Sequence, residues 1–581
     1  MSRVGRGPRG RRLRRTWPSL RPARRADWLP ALTAWLTALA GVVNVASALL
    51  PTLPARLRLL ATAAPPELVV GAHALALPAG LALLGAAGFL GARRERAQRV
   101  AVALLLALGV LNLLKGLDVE EALISWFLAG LLVWGRGAFR VRHDVAGLPR
   151  ELRRCAALLA LAAVAAVAVV AAATHGMTPE PTAASTLREA LGLVTLTGGT
   201  LQHGAGWLPP ALGALGLVAG ATCARLLLRP LAVVAAPCVR NRAAAAIVRA
   251  HGTDTLSYFK LREDLPRRFS PDGRAFVAFR IQGGVMLLSG DPVGPDDALP
   301  ALLGDVCAFA DDHGLKVGVL GASEAFADLG RRAGLRRFYI GDEAIVDTAA
   351  FTLEGKAIKK VRQATHRLRK AGYTVSLSRV ADLQRDELAA LDAISARWRD
   401  GAPERGFSMA MDSLANPALA DTSVLVGHDG TGTARGFLHF VPSAGRPALS
   451  LSLMRRDRDT PNGLIDFLVV EAIQSARERG IEELSLNFSA FGRYLREPSG
   501  PVERGLGVLA RWFNPFFQIE SLYRFNAKFF PRWQPRYLLH QGVGSLPRTA
   551  LVAMGAEGQL PQPALPAVHD RKARRVTVAA P

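Results

Sequence analysis

Three stretches of this chain combine residue types and spacings that could do chemistry. The first is Lys356 to Lys370, KAIKKVRQATHRLRK, in which Lys356, Lys359, Lys360, Arg362, Arg367, Arg369 and Lys370 fall on about four helical turns with no carboxylate among them. A solvated helix face usually mixes signs and gains i,i+4 pairs, so a single-sign helix points to phosphate contacts, with a plain solvated face as the alternative. The second, Gln518 to Tyr537, interleaves Arg524, Lys528, Arg532 and Arg536 with Tyr523, Phe525, Phe529, Phe530, Trp533 and Tyr537. Cations between aromatic faces could hold a base, a nucleoside or a lipid headgroup at a water–apolar boundary, and could equally form an aromatic core under a C-terminal helix. In the third, Asn462-Gly463 opens a helix directly after a strand ending in Met454-Arg455-Arg456. Free amides at a helix N-terminus attract phosphate or an acyl carbonyl oxygen, and Asp466 in the first turn could join that chemistry or cap the helix.

Other chemistries lack their signatures. There is no G-x-S-x-G, no G-x-x-x-x-G-K-[ST] and no H-E-x-x-H, which argues against an NTPase or a zinc hydrolase. The glycines at 430, 432 and 436 miss the dinucleotide spacing, which argues against a dehydrogenase. Cys155, Cys223, Cys238 and Cys307 are scattered, so neither a metal site nor a disulfide framework is expected, and the compartment reads as reducing. An excess of 72 Lys and Arg over 47 Asp and Glu suits anionic partners, nucleic acid or acidic phospholipid.

The elements that must position these residues divide into two textures. Half of the 581 residues are hydrophobic, 20% are charged and the mean hydropathy is +0.21, a hybrid of membrane module and soluble core. Residues 1–27 form a basic arm with ten Arg in the first 25. Residues 28–228 hold six apolar runs, at Trp28–Leu50, Val69–Leu90, Val100–Leu114, Leu123–Trp134, Cys155–Ala173 and Trp207–Leu228, the fourth being short. The arm, 93–99 and 135–154 carry ten, four and six Lys or Arg, against two, one and one in 51–67, 115–122 and 174–206. That alternation predicts both termini on the cytoplasmic side of the plasma (inner) membrane. Within the spans, His73 reads as a satisfied interhelical hydrogen bond and Lys115 as a snorkelling side chain.

A juxtamembrane linker, 229–250, is expected to lie along the anionic leaflet. Two rounds of α/β pattern follow, over 251–372 and 373–545, and suggest a tandem duplication. Gly283-Gly284 marks a hairpin, and Asp264, Asp272 and Asp291 fall at loops around it. Residues 546–581 are expected to be a disordered tail.

The segments GKAIKKVRQATHRLRKAGY (355–373), ERGFSM (404–409), LSLMRRDRDTPNGLIDFLVVEAI (451–473), LSLNFSAFG (484–492) and QIESLYRFNAKFFPRWQPRYL (518–538) together resemble the lysylphosphatidylglycerol synthases, or phosphatidylglycerol lysyltransferases, of the actinobacterial type. The likeness covers about residues 242 to 545, and only the synthase part of members that also carry a flippase bundle. It implies an α-helical multispan membrane domain followed by two tandem acetyltransferase-like (GNAT) folds. It also implies a reaction: an amino acid, lysine in first place, passes from aminoacyl-tRNA to a glycerol hydroxyl of phosphatidylglycerol, which lowers membrane negative charge and gives cationic-peptide resistance. The implied partners are aminoacyl-tRNA and the anionic membrane, with no cofactor and no metal.

Carried over by position, Arg455, Lys528, Glu520 and Asp466 are the catalytic candidates. Glu404, Arg405, Ser452, Asn487, Tyr523 and Arg536 are the substrate-binding candidates, and Lys356, Lys360, Arg362 and Arg369 the tRNA-binding ones. Two departures bear on the donor. Ser452 stands where many members have the Asp of D-L-M-R, and Asp412-Ser413 stand where a Gly-Arg pair is expected. The alternatives are a transferase with another acyl donor or lipid acceptor, and a non-catalytic lipid-binding membrane module.

Overall fold

The computed structural model describes residues 28–49, 65–139, 141, 148–174, 181–198, 207–228, 241–401, 406–411, 414, 421–490 and 519–560. They form two compact units, a helical one within residues 23–233 and an α/β one from 234 onward, with 311–314 grouped with the first.

In the helical unit, α1 (Leu29–Leu49), α2 (Pro66–Leu90), α3 (Glu95–Gly116), α5 (Leu148–Thr174) and α7 (Leu208–Leu227) are long and apolar enough to cross a membrane. Large apolar side chains such as Trp35, Phe127, Leu161 and Val218 point outward, the reverse of a water-soluble surface. The sequence predicts six spans. The fourth forms α4 (Val119–Trp134), whose 16 residues reach about 24 Å, short of the roughly 30 Å of hydrocarbon. Part of the expected loop 174–206 is a further helix, α6 (Ala183–Val194), whose N-cap Thr182 hydroxyl accepts from the Ser185 amide.

Polar side chains inside this unit pair with one another. Asn112 Nδ2 donates to Asn44 Oδ1 at 2.8 Å, and Asn44 Nδ2 to the Ala40 carbonyl at 2.8 Å. Lys115 is not a snorkelling residue: it is 1% exposed, donates to Ser47 Oγ at 2.8 Å and lies 3.5 Å from the Asp118 carboxylate. His73 lies on an exposed face of α2, not in the buried interhelical contact expected for it.

The α/β unit opens with α8 (Asn241–His251), inside the stretch read as a linker, with Ala244 and Val248 buried. Its sheet has eleven strands in the order β1-β2-β3-β4-β11-β5-β10-β9-β8-β7-β6. In the first half, β1 (Arg267–Phe269), β2 (Phe276–Gln282) and β3 (Val285–Ser289) run antiparallel. The β2–β3 hairpin turns through Gly283 and Gly284 at φ +55° and +75°, as the glycine pair predicts. Helix α9 (Leu299–Asp312) then crosses over to β4 (Lys316–Ala322), which pairs parallel to β3. Next come α10 (Glu324–Arg332), β5 (Leu335–Asp347) and α11 (Lys359–Lys370).

The second half repeats the plan. β6 (Thr374–Arg379), α12 (Arg385–Arg399), β7 (Ser423–His428), β8 (Ala434–Ser443) and β9 (Ala448–Arg456) form an antiparallel sheet with one flanking helix. Helix α13 (Leu464–Glu478) crosses over to β10 (Glu483–Ala490), parallel to β9. Helix α14 (Ile519–Ala527), β11 (Arg532–Gln541) and α15 (Leu546–Ala556) complete the chain. The two halves share this plan, and they exchange their last strands. β5 of the first pairs with β10 of the second, while β11 of the second pairs with β4 of the first. β5 and β11 pair antiparallel with each other over Leu335 to Ile345, so the two halves share one continuous sheet.

The end of the chain differs from expectation. Residues 546–556 are not part of a disordered tail: α15 buries Thr549, Val552, Ala553 and Ala556 against the first half.

Two apolar cores follow from this plan. One packs α9 and α10 on Val277, Met286, Val317, Tyr339 and Leu539. The other packs α11 and α13 on Leu425, Leu438, Leu451, Leu484 and Val346. Helix α11 turns Val361, Ala364, Thr365 and Leu368 inward, an i, i+3, i+4, i+7 stripe, and leaves its cations outside. It approaches the start of α13 so closely that a Cβ on Gly463, whose φ is +92°, would lie 2.7 Å from Ala364 Cβ. Gly463→Ala therefore meets a steric and a conformational penalty together, and we expect a loss of about 2 to 3 kcal/mol in thermal unfolding. Adding Ala364→Gly should return the steric part alone.

Candidate functional site

The parallel pair β9 and β10 stays in register only over Ala448–Ser450 and Glu483–Ser485. Beyond Ser485, β10 bulges between Ser485 and Phe488, and Asn487 takes φ +73°, in the left-handed region that Asn tolerates better than most residues. Its side chain replaces the lost strand pairing. Asn487 Nδ2 donates to Leu451 O at 3.0 Å and to Met409 O at 2.7 Å, and Oδ1 accepts from the Phe488 amide at 2.7 Å. A wedge thus opens between the strands, with an amide side chain holding both of its edges.

Residues 406–411, from the ERGFSM segment onward, are fastened beside this wedge from several sides. Glu557, just after α15, accepts from the Phe407 and Ser408 amides and the Ser408 hydroxyl. Arg262 donates to Gly406 O and Ala410 O at 2.8 and 2.6 Å. Ser452 is the extra residue where β8 and β9 slip register, which frees its Oγ to accept from the Met411 amide at 3.0 Å.

The predicted residues divide as follows. Lys528 and Asp466 are brought together: Nζ donates to the two carboxylate oxygens at 2.8 and 3.2 Å and lies over the Phe525 ring, 5.1 Å from its centroid. Asp466 lies in the first turn of α13 and Lys528 directly after α14, and the pair is partly open to solvent. Arg455 lies near the end of β9, half-buried. Tyr523 stacks on Trp533 with ring centroids 5.0 Å apart. Glu520 stands near the start of α14, and its side chain, like the whole of Glu404 and Arg405, lies outside the described residues.

Lys356 and Lys360 are exposed. Arg362 and Arg369, also at the surface, hold partners of their own. Arg362 donates to Leu353 O and Gly355 O, and Arg369 pairs with Glu471 at 2.7 Å and reaches Gln474.

Arg536, expected to touch substrate, is 1% exposed. It is clamped between Glu343, met by Nε at 3.0 Å, and Asp254, met at 2.6 and 3.2 Å, with further bonds to Thr255 Oγ1 and Gly321 O. Neither Asp254 nor Glu343 stands out in sequence, because their partner lies about 200 or more positions away and no local spacing marks such a pair.

Asp254 also lines a cavity of about 830 Å³ at the end of β3, with Ser257, Asp291, Ser323, Phe326 and Arg446. Burial there pushes the Asp291 carboxyl up to about 6, the charge of Asp254 adding to it. Burial alone would also raise Asp254, but the charge and hydrogen bonds of Arg536 hold it below the usual carboxylate range. Lys260 is buried nearby, and desolvation lowers its ammonium to about 8 against the pull of Asp254 and Asp291.

His439 on β8, opposite Leu453, is fully buried, and desolvation depresses its imidazole to about 3.

Three comparisons bear on this arrangement. Residues 245–540 match the family model described as "Phosphatidylglycerol lysyltransferase, C-terminal". The lysylphosphatidylglycerol biosynthesis bifunctional protein LysX of Gordonia bronchialis is 40% identical over 329 residues, 55% of this chain and 29% of that protein. LysX of Nocardia farcinica is 39% identical over 313 residues, 53% of this chain and 28% of that one. The chain thus spans less than a third of the length of these relatives. Among solved structures, L-PGS from Bacillus licheniformis aligns with a TM-score of 0.50 at 25% identity, covering 56% of this chain and 98% of that one.

The buried histidine yields a prediction with a definite sign. Its folded value lies below the unfolded 6.5, so the unfolded chain binds the extra proton, and the stability held above pH 6.5 is lost as pH falls toward 3. Between pH 7 and 5 the loss should be about 2 kcal/mol, read as a falling melting temperature, and His439→Phe should abolish it. Asp291 acts in the opposite sense, its contribution fading as pH rises from about 4 to 6, and Asp291→Asn should remove that slope.

Proposed function

The chain belongs to the phosphatidylglycerol lysyltransferase C-terminal family through residues 245–540, and on that premise we propose that it moves an amino acid from aminoacyl-tRNA to phosphatidylglycerol. The observation that carries the reading is the wedge between β9 and β10, held by Asn487, with Lys528 paired to Asp466 in the first turn of the crossover helix that joins the two strands. An activated ester needs no nucleotide site. The glycerol hydroxyl attacks the ester carbonyl and gives up its proton, a tetrahedral oxyanion forms, and its collapse breaks the bond to the tRNA ribose oxygen, which leaves with the electron pair and takes up a proton. The Lys528 ammonium and the Arg455 guanidinium supply the positive charge such an oxyanion requires. Asp466 holds Lys528 in place, and it or Glu520 receives the donor ammonium or assists deprotonation.

Glu404, Arg405, Ser452 and Tyr523 are assigned to the substrate-facing wall. Ser452 brings no charge there, and its hydroxyl oxygen accepts from the Met411 amide. Lysine is the donor residue we assign, following the names of the relatives. The exposed cations Lys356, just before α11, and Lys360 on it, with Arg362 and Arg369 at their flank, hold the tRNA phosphates.

We place both termini and the α/β unit on the cytoplasmic side of the plasma membrane. That topology needs α4 to cross as well, by thinning the bilayer locally around its 16 residues.

The test is thin-layer chromatography of lipids from membranes holding the protein, supplied with phosphatidylglycerol and tRNA charged with one labelled amino acid at a time. A new labelled lipid with lysyl-tRNA is the expected result. Label only with another amino acid would reassign the donor, and none with any donor from folded protein would overturn the reading. Lys528→Met should lower turnover at least a hundredfold. Lys356→Glu with Lys360→Glu should instead raise KM for charged tRNA and flatten its salt dependence, leaving KM for lipid unchanged.

A further inference from the structure

A chain of buried polar groups runs from Asn487 to the far side of the sheet. The Asn487 amide donates to Ser485 Oγ at 3.2 Å, and the Ser485 hydroxyl donates to Glu343 Oε1 at 2.5 Å. The other Glu343 oxygen accepts from Arg536, whose remaining donors reach Asp254, Thr255 and Gly321 in the first half. Ser485, Glu343 and Arg536 are each no more than 1% exposed. Five separate parts of the chain meet in this relay: the loop after α8, β4, β5, β10 and β11.

An ordinary core would fill this space with apolar side chains at lower desolvation cost. What the polar chain supplies instead is direction. Glu343 has one oxygen for Arg536 and one for Ser485, so the guanidinium decides where the carboxylate points. The carboxylate in turn decides where Ser485 presents its lone pair to the Asn487 amide. That amide belongs to the residue in the strained bulge whose side chain ties Leu451 O to Met409 O.

We propose that Arg536 is a positioning residue for the transfer reaction, acting through Glu343 and Ser485 to hold Asn487 in its bulge and so set the opening between β9 and β10. The inference rests on the proposed transferase reading only in its kinetic arm. Arg536 touches no substrate in this account; it reaches the reaction through two side chains and a backbone turn. A lysine cannot replace it, since a single ammonium cannot span Asp254 and Glu343 as the planar fork does.

The experiment uses the full-length protein in nanodiscs and two readouts. Ser485→Ala cuts the relay while leaving the Arg536 ion pairs whole, so its melting temperature should stay within about two degrees of the parent's. Hydrogen exchange of the segment 486–490 should nevertheless accelerate at least tenfold, in Ser485→Ala and in Arg536→Lys alike, and this arm is independent of any donor or acceptor. In the lipid-transfer assay, Ser485→Ala should lower kcat about tenfold with KM for tRNA and lipid unchanged. Combining it with Arg536→Lys should add no further loss in kcat, as expected of groups on one pathway.

Unchanged exchange at 486–490 in Ser485→Ala overturns the proposal whatever the enzymology shows. So do additive losses in the double variant, or losses in kcat that follow melting temperature across all variants. A parent protein that labels no lipid defeats the transferase reading instead, and the exchange result still decides whether the relay holds the bulge.

Discussion

The α/β unit depends on one buried guanidinium. Arg536 lies on β11, where the second half's last strand has crossed over to pair with the first half, and its partners all come from that first half: Asp254, Gly321 and, on the exchanged strand β5, Glu343. Taking an arginine and two carboxylates out of water costs several kcal/mol per ion, which good geometry and full hydrogen bonding must offset. Here both carboxylates meet the guanidinium directly, and the arrangement requires β4, β5 and β11 to sit in one register. An exchanged strand with only apolar contacts could slide by two residues and keep its faces; one pinned by a forked ion cluster cannot.

From that fixed centre the two halves diverge in what they offer. Both carry a parallel strand pair with a crossover helix, yet the first opens onto a cavity lined by Asp254 and Asp291, while the second carries Lys528 beside Asp466 at the start of α13. The difference in charge is local. One half buries carboxylates until Asp291 is pushed up to about 6, and the other keeps a partly exposed ammonium paired. Duplicated frameworks of this kind separate tasks by changing a few side chains at equivalent places and leaving the sheet alone.

The helical unit solves a different solvent problem. Large apolar side chains such as Trp35 and Phe127 face outward, while inside it Asn112 pairs with Asn44 and Lys115 with Ser47. α11 shows the opposite arrangement, an apolar stripe on the core and a basic face in water. The two amphipathic senses, within one chain, distinguish surfaces suited to lipid from a surface suited to water.

Much of this is written along the chain, because periodicity and composition are local properties. The apolar runs of the membrane half, the Gly283-Gly284 hairpin, the alternating α/β pattern after it and the basic face of α11 all follow from neighbours within a few turns. So does the family, since its motifs are short ordered segments. What stayed hidden depends on pairs far apart. Lys115 reads as an exposed snorkelling residue until Ser47 on α1 is seen beside it, and residues 546–556 read as tail until α15 is seen to cover the first sheet. Arg536 has the look of a substrate contact because aromatics and cations surround it in sequence. Only the exchange of β5 and β11 brings Glu343 and Asp254 to it, and a pairing of that kind is decided by tertiary register, which no local spacing encodes.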